Sequence, residues 1–204
     1  MSVIVQFFSA ALYIIFVQNL VFSGGYGSSE AIRTAARPRQ LALFAVMVTY
    51  FSTVTSLLCK LIWLIPIFKT ADATIAIVTF TLVLVVVYLI TALLILKTLK
   101  GSGWKQEEKD RLLRQAGVSA FNTIVFAVPF INQRVAYTVP EAIGAGIGAG
   151  VAFIIATMLI HEGMKKIESN NEIPNCFKGT PAVFMYIAIL AMAFTGFSGK
   201  SLFF

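Results

Sequence analysis

Hydrophobic residues gather into six runs separated by short polar stretches. The first run is Val3 to Phe22, uncharged, with Gln6, Gln18 and Asn19 as its amides, and the second is Leu41 to Cys59. After Lys60 comes a short apolar tail, Leu61 to Phe68, which Pro66 is expected to bend into an interfacial or re-entrant piece. The third run is Ala73 to Leu96, with Asp72 placed to cap it. The fourth, Ala116 to Ile131, has only 16 residues; the fifth is Ala142 to Ile160 and the sixth Pro181 to Gly199, with proline in the first turn, where it is tolerated. A hydrocarbon core of roughly 30 Å takes about 20 helical residues, and a backbone in lipid must satisfy its own hydrogen bonds. The pattern therefore predicts an all-α membrane protein of six transmembrane helices, the first and fourth interrupted or half-length. The longest polar stretch, Lys97 to Gln115, reads as a loop.

Composition agrees. The 204 residues are 58% hydrophobic and 12% charged, against about 25% charged in a soluble domain, and the mean hydropathy is +0.87. A single transmembrane domain over 1–204 is expected. The net charge of +7 does not point to nucleic acid, because basic residues in such a chain set orientation. Arg33, Arg37, Arg39, Lys97, Lys100, Lys105, Lys109, Arg111, Arg114, Lys165, Lys166 and Lys178 fall on one side, and Lys60, Lys69, Arg134 and Lys200 on the other. The positive-inside rule then places both termini outside the cytoplasm of a cell inner membrane. With no basic n-region and no small-residue cleavage site, Val3 to Phe22 is expected to be a retained helix.

A shift of 103 residues moves Asn19 onto Asn122, Leu41–Cys59 onto the fifth run, Ala73–Leu96 onto the sixth, and Lys97 onto Lys200. Two units of three spans each, about 1–100 and 113–204, would insert in opposite senses. Inverted repeats of this kind build sites at the bilayer midplane between broken helices. A plain six-helix bundle with coincident spacing remains the alternative.

Few residues offer chemistry. By this topology Cys59 and Cys176 lie on opposite faces and form neither a disulfide nor a shared metal site. His161 and Glu162 sit at the cytoplasmic end of the fifth run, where contact with a loop is the simple reading. Gly144, Gly146, Gly148 and Gly150 follow no strand and lack the Gly-Lys-Ser/Thr of a phosphate loop; as small-xxx-small pairs they bring helices close. The candidate midplane polar site or ion path comprises Asn19, Asn122, Thr123, Gly24, Gly25 and Gly27. An amide in hydrocarbon needs a partner, an ion or water; an interhelical hydrogen bond is the plain alternative.

Ile-Pro-Asn-Cys-Phe-Lys-Gly-Thr-Pro followed by Leu-Ala-Met-Ala-Phe-Thr-Gly-Phe-Ser-Gly, between Ile173 and Gly199, resembles the C-terminal signature of the Rnf/Nqr integral membrane subunits. Leu159-Ile160-His161-Glu162, Val17-Gln18-Asn19 and Asn122 resemble that family's fifth, first and fourth helices. The resemblance implies six helices in inverted repeats and pairing with a homologous subunit of opposite orientation. It also implies a [2Fe-2S] cluster held by cysteines of helices 1 and 4 of both subunits. Here Thr123 stands where the family has cysteine beside Asn122, and Ser23-Gly24-Gly25-Tyr26-Gly27 replaces the first cysteine region. The expectation is a cysteine-lacking subunit of an ion-translocating electron-transport complex that binds no cofactor by itself, with [2Fe-2S] or flavin in its partners. The alternatives are a cluster-free ion or small-solute transporter or channel, as a homodimer or heterodimer, and an assembly subunit.

Overall fold

The computed structural model describes residues 2–69, 72–99, 106–174 and 176–197. Among them the chain is helical with no strand. The helices are α1 Val3–Leu12, α2 Leu20–Gly24, α3 Ser28–Ala35, α4 Leu41–Trp63, α5 Pro66–Lys69, α6 Ala73–Leu99, α7 Gln106–Ala120, α8 Thr123–Arg134, α9 Val139–Ser169 and α10 Thr180–Phe197. A π-helical stretch, Tyr13–Val17, extends α1, and a 3-10 turn, Pro38–Gln40, precedes α4. The segments Pro38–Trp63, Thr74–Thr98 and Val139–Ser169 are long and apolar enough to cross a membrane; Val3–Val17 and Thr180–Gly196 are apolar but shorter.

Helix α9 is the axis of the molecule, and alternation of small residues makes it so. Its glycines face two neighbours in turn. A Cβ on Gly144 would meet the Phe7 carbonyl oxygen, and one on Gly148 would lie 2.8 Å from the Ala11 carbonyl oxygen, both in α1. A Cβ on Gly146 would lie 2.6 Å from the Thr53 Cα, and one on Gly150 would strike the Thr49 side chain, both in α4. One helix thus receives two others at backbone contact, as the paired spacing predicts. Serines fasten the α4 side: Ser52 Oγ donates to the Gly146 carbonyl at 2.9 Å and Ser56 Oγ to that of Ala142 at 2.7 Å. Phe51, Phe153, Ile14, Leu20 and Ile160 fill the centre, all fully buried. Along α6, by contrast, Leu82, Leu89 and Leu93 stand exposed, as expected of a face turned to lipid or to another chain.

Several boundaries differ from the pattern reading. The 16-residue fourth run is not one helix: it divides at Phe121–Asn122 between α7 and α8. Gln106 to Gln115 is helical rather than loop, with Glu107 and Glu108 at the positive helix start and Gln106 bonded to Asp110 one turn on at 3.2 Å. Leu61–Trp63 continues α4, and Pro66 opens the short α5. His161 is interior to α9, which runs on to Ser169; its Nδ1 meets the Ala35 carbonyl at 2.8 Å, where α3 ends. Pro181 does lie in the first turn of α10. The Asp72 carbonyl accepts the Ala76 N–H at 3.1 Å, as befits the residue before α6. Cys59 is buried and Cys176 exposed, both free thiols. Lys100, Lys105, Lys200 and the Ser198–Gly199 end of the sixth run lie outside the described residues.

Candidate functional site

Two helix breaks define the site, and an asparagine makes each of them. Asn19 leaves the helical region (φ −61°, ψ 111°), and its Oδ1 accepts the N–H groups of Val21 and Phe22 at 3.1 and 3.4 Å, capping α2. Asn122 (φ −71°, ψ 138°) caps α8 likewise, taking the Ile124 N–H at 3.0 Å. A short amide competes well for these orphan donors, so the polar residue stops the apolar helix. The two residues that the 103-residue shift superposes therefore share a conformation and a local role.

Beyond the caps they differ. Asn19 is fully buried, and its Nδ2 donates to the carbonyls of Ile15 and Ala152, each at 3.4 Å. Every hydrogen-bonding group of that amide is engaged, and Ala152 ties it to α9. Asn122 is 3% exposed, yet among the described residues its Nδ2 has no partner; nor has the Ser119 hydroxyl one turn earlier. A buried N–H left unpaired costs about 1–3 kcal/mol, so this break holds two unmatched polar groups where the first holds none.

The glycine run joins the first break to the second. The Gly25 N–H donates to the Val21 carbonyl and that of Tyr26 to the Leu20 carbonyl, at 3.1 and 3.0 Å, closing α2 after little more than one turn. Gly25 has φ +68°, with no atom near a Cβ there, so conformation alone demands glycine; at Gly24 a Cβ would run into the Tyr26 ring. The turn delivers Gly27, φ +70°, against the second break, where its N–H donates to Thr123 Oγ1 at 2.7 Å. A Cβ on Gly27 would lie 2.8 Å from Asn122 Oδ1. Gly27, Asn122 and Thr123 thus form one cluster, Gly24 and Gly25 shape its approach, and Asn19 turns instead to α9. Thr123→Val should leave the Gly27 N–H unpaired and lower stability by about 1–3 kcal/mol, with Thr123→Ser near wild type; thermal unfolding in detergent checks this.

A groove of about 800 Å³ runs beside the cluster, lined by Tyr26, Ala76, Thr123, Phe126 and Phe130 and reaching Arg134. One further polar chain escaped the sequence reading. Asn132 Nδ2 donates to Ser56 Oγ, which donates to the Ala142 carbonyl, so α8, α4 and α9 are laced together. Its only trace in the sequence is Ser52 and Ser56 one turn apart. Asn132 Oδ1 has no partner among the described residues, and Asn132 lines a cavity of about 460 Å³ with Lys60 and Gln133.

No protein-family profile matches the chain. Over 81 residues it is 32% identical to the A subunit of the Na(+)-translocating ferredoxin:NAD(+) oxidoreductase complex of Acetobacterium woodii, covering 40% of this chain and 42% of that protein. Over 82 residues it is 33% identical to the E subunit of the Na(+)-translocating NADH-quinone reductase of Pseudoalteromonas translucida, 40% of each. The chain is a relative of the Rnf/Nqr membrane subunits. A third relative, the A subunit of the proton-translocating ferredoxin:NAD(+) oxidoreductase complex of Clostridium ljungdahlii, is 32% identical over 80 residues, 39% of this chain and 41% of that one. The matches span about two fifths of the length of these Rnf/Nqr relatives. All three relatives belong to Na(+)- or proton-translocating oxidoreductases, and with its apolar helices the chain is a membrane protein.

The donors gathered at the breaks do not fit an iron–sulfur group. Such clusters take thiolates, whereas this cluster offers a threonine hydroxyl already accepting the Gly27 N–H, and an asparagine amide. Among the described residues no group of three His, Cys, Asp or Glu side chains converges.

Proposed function

We propose that the chain is an integral membrane subunit of an Rnf/Nqr-like ion-translocating electron-transport complex, with no cluster ligands of its own. The observation that carries this reading is the pair of asparagine-capped breaks, joined by the Gly27–Thr123 hydrogen bond, in a relative of the A and E subunits. Its architecture would be six spans in two inverted three-helix repeats forming one transmembrane domain, with the cluster near the midplane. Both termini would lie outside the cytoplasm of the inner membrane. In support, arginines from either side of α4 and α6, Arg37 and Arg111, share one pocket, as two crossings between them require. The partner would be a homologous membrane subunit of opposite orientation, and [2Fe-2S] or flavin would reside in partner subunits.

The chemistry of this chain would then be positional. The Gly27 turn and the α8 cap would hold a polar spot at the breaks, and the unpaired Asn122 N–H and Ser119 hydroxyl offer it hydrogen-bonding groups. Purification from native membranes tests the assignment: the chain should come with a second membrane protein of its own kind and with iron- or flavin-bearing subunits. Recovery as a solitary, stable dimer of two copies would sink it.

Those same unpaired groups favour a second reading, a cluster-free ion or small-solute transporter or channel on the same scaffold. Asn122→Ser separates the two roles of the amide, since serine caps a helix about as well but lacks the amide nitrogen. If the break lines the path, Asn122→Ser should unfold within about 0.5–1 kcal/mol of wild type while ion or solute flux in proteoliposomes falls several-fold. Unchanged flux removes the site claim.

A further inference from the structure

Away from the breaks, α3 and α7 present matching faces to one another. Glu30, Arg33 and Arg37 lie at helical spacing along α3 and its end, and Arg111 and Arg114, with Val118, along α7. The two rows line a pocket of about 300 Å³ floored by Phe44 and Val118. Four guanidinium groups and one carboxylate give it a formal charge of +3. Among the described residues the one ion pair here is Arg33 with Glu30, at 3.7 Å, with the arginine side chain 67% exposed and the glutamate 24%. Like charges gathered this way repel; all four arginines are exposed, so solvent screens part of the repulsion, and a bound anion would relieve the rest. The planar fork of arginine suits phosphate oxygens, which it can bind in pairs.

A second cavity, about 320 Å³, adjoins the first and shares Arg111, Gln40 and Gln115 with it. Its lining adds Arg39 and Glu108 together with Leu43, itself exposed, and Leu112. A cationic pocket thus adjoins two leucines, Leu43 and Leu112, beside the start of α4, one of the helices long and apolar enough to cross a membrane. Such pockets between membrane helices on the basic side suit anionic headgroups.

We propose that this double cavity is a binding site for a phosphate-bearing anion, with Arg33, Arg37, Arg111 and Arg114 holding the phosphate. The leucines of the second lobe, Leu43 and Leu112, make an anionic phospholipid the occupant that uses the whole site. The site stands independently of the electron-transport reading, because it involves neither break.

The test is a titration of the full chain in neutral detergent with phosphatidylglycerol, phosphatidylcholine and inorganic phosphate, followed by native mass spectrometry. Each arginine near an anionic headgroup contributes about fivefold in affinity, so Arg37→Gln/Arg111→Gln/Arg114→Gln should weaken phosphatidylglycerol binding by about a hundredfold. Phosphatidylcholine binding should not change. Lys165→Gln/Lys166→Gln, basic residues of α9 outside the pocket, should keep the wild-type preference. If the triple variant is not recovered folded, Arg111→Gln, the arginine shared by both lobes, should still lose about fivefold. Phosphatidylglycerol preference without competition by inorganic phosphate identifies a lipid. Inorganic phosphate binding that is lost in the variant, without lipid preference, identifies a soluble phosphate compound at the same arginines. No preference in wild type, or a preference that survives in the arginine variants, overturns the site.

Discussion

Gly148→Leu should abolish recovery of the folded chain from detergent, while Gly196→Leu should leave it intact. The difference lies in what a side chain meets. At Gly148 the first added carbon already lies 2.8 Å from the Ala11 carbonyl oxygen and 3.0 Å from its Cα. Backbone cannot swing aside as a side chain can, so α1 must retreat along its whole length. Overpacking by single carbons costs about 1–3 kcal/mol, and leucine adds three more carbons beyond the first. Retreat of α1 also strips contacts from Ile14 and Phe153 at the core centre, so the loss approaches the roughly 5–15 kcal/mol that a fold has to lose. At Gly196 a Cβ meets nothing within 4 Å. Gly148→Ala should fall between them, lowering stability by about 1–3 kcal/mol. Monodisperse elution and thermal unfolding of the four proteins decide the matter; equal behaviour of the two leucine variants would refute close packing as the role of the glycine row.

The glycine row was legible because its signal is purely local: small residues at fixed spacing in an apolar helix permit close approach, whichever helix arrives. Which helices arrive was not legible. Gly144 and Gly148 receive α1 while Gly146 and Gly150 receive α4, a choice made by tertiary packing. The breaks followed the same division. Asn19 and Asn122 stood out as amides in apolar runs, and the short fourth run hinted at an interruption. Hydropathy could not show that Ala116–Ala120 belongs with the charged helix before it, because the amphipathic α7 averages to a polar stretch. His161 looked terminal for a like reason: charged residues from Glu162 onward end the apolar run, yet nothing in them ends a helix. The Asn132–Ser56–Ala142 chain spans 76 residues between its side chains, a separation that no local pattern records.

The equivalence of the two asparagines, which the repeat implies, can be broken by one substitution made twice. Asn19→Asp should be the more severely destabilising, and Asn122→Asp less so. Aspartate caps a helix as well as asparagine, so neither variant loses its break, and the comparison isolates the atom opposite the cap. In Asn19 that atom is an N–H donor serving the carbonyls of Ile15 and Ala152 at 3.4 Å. A carboxylate there sets an oxygen against two carbonyl oxygens in a site with no exposure, and among the described residues no cation pairs with it. Burial of an uncompensated charge, about 3–5 kcal/mol, falls on both variants; the opposed oxygens and the lost donor are the extra cost at Asn19. The amide orientation behind this argument is secured by the Val21 and Phe22 N–H groups, which only the oxygen can accept. In Asn122 the corresponding nitrogen serves no acceptor, so exchange loses no hydrogen bond. What remains is the charge burial that both variants share, eased here by the positive start of the 12-residue α8. Parallel unfolding curves in detergent should place the first variant at least about 2 kcal/mol below the second. Equal losses would mean that Asn122 is held as tightly as Asn19, leaving no unmatched donor for an ion path or a partner chain to use.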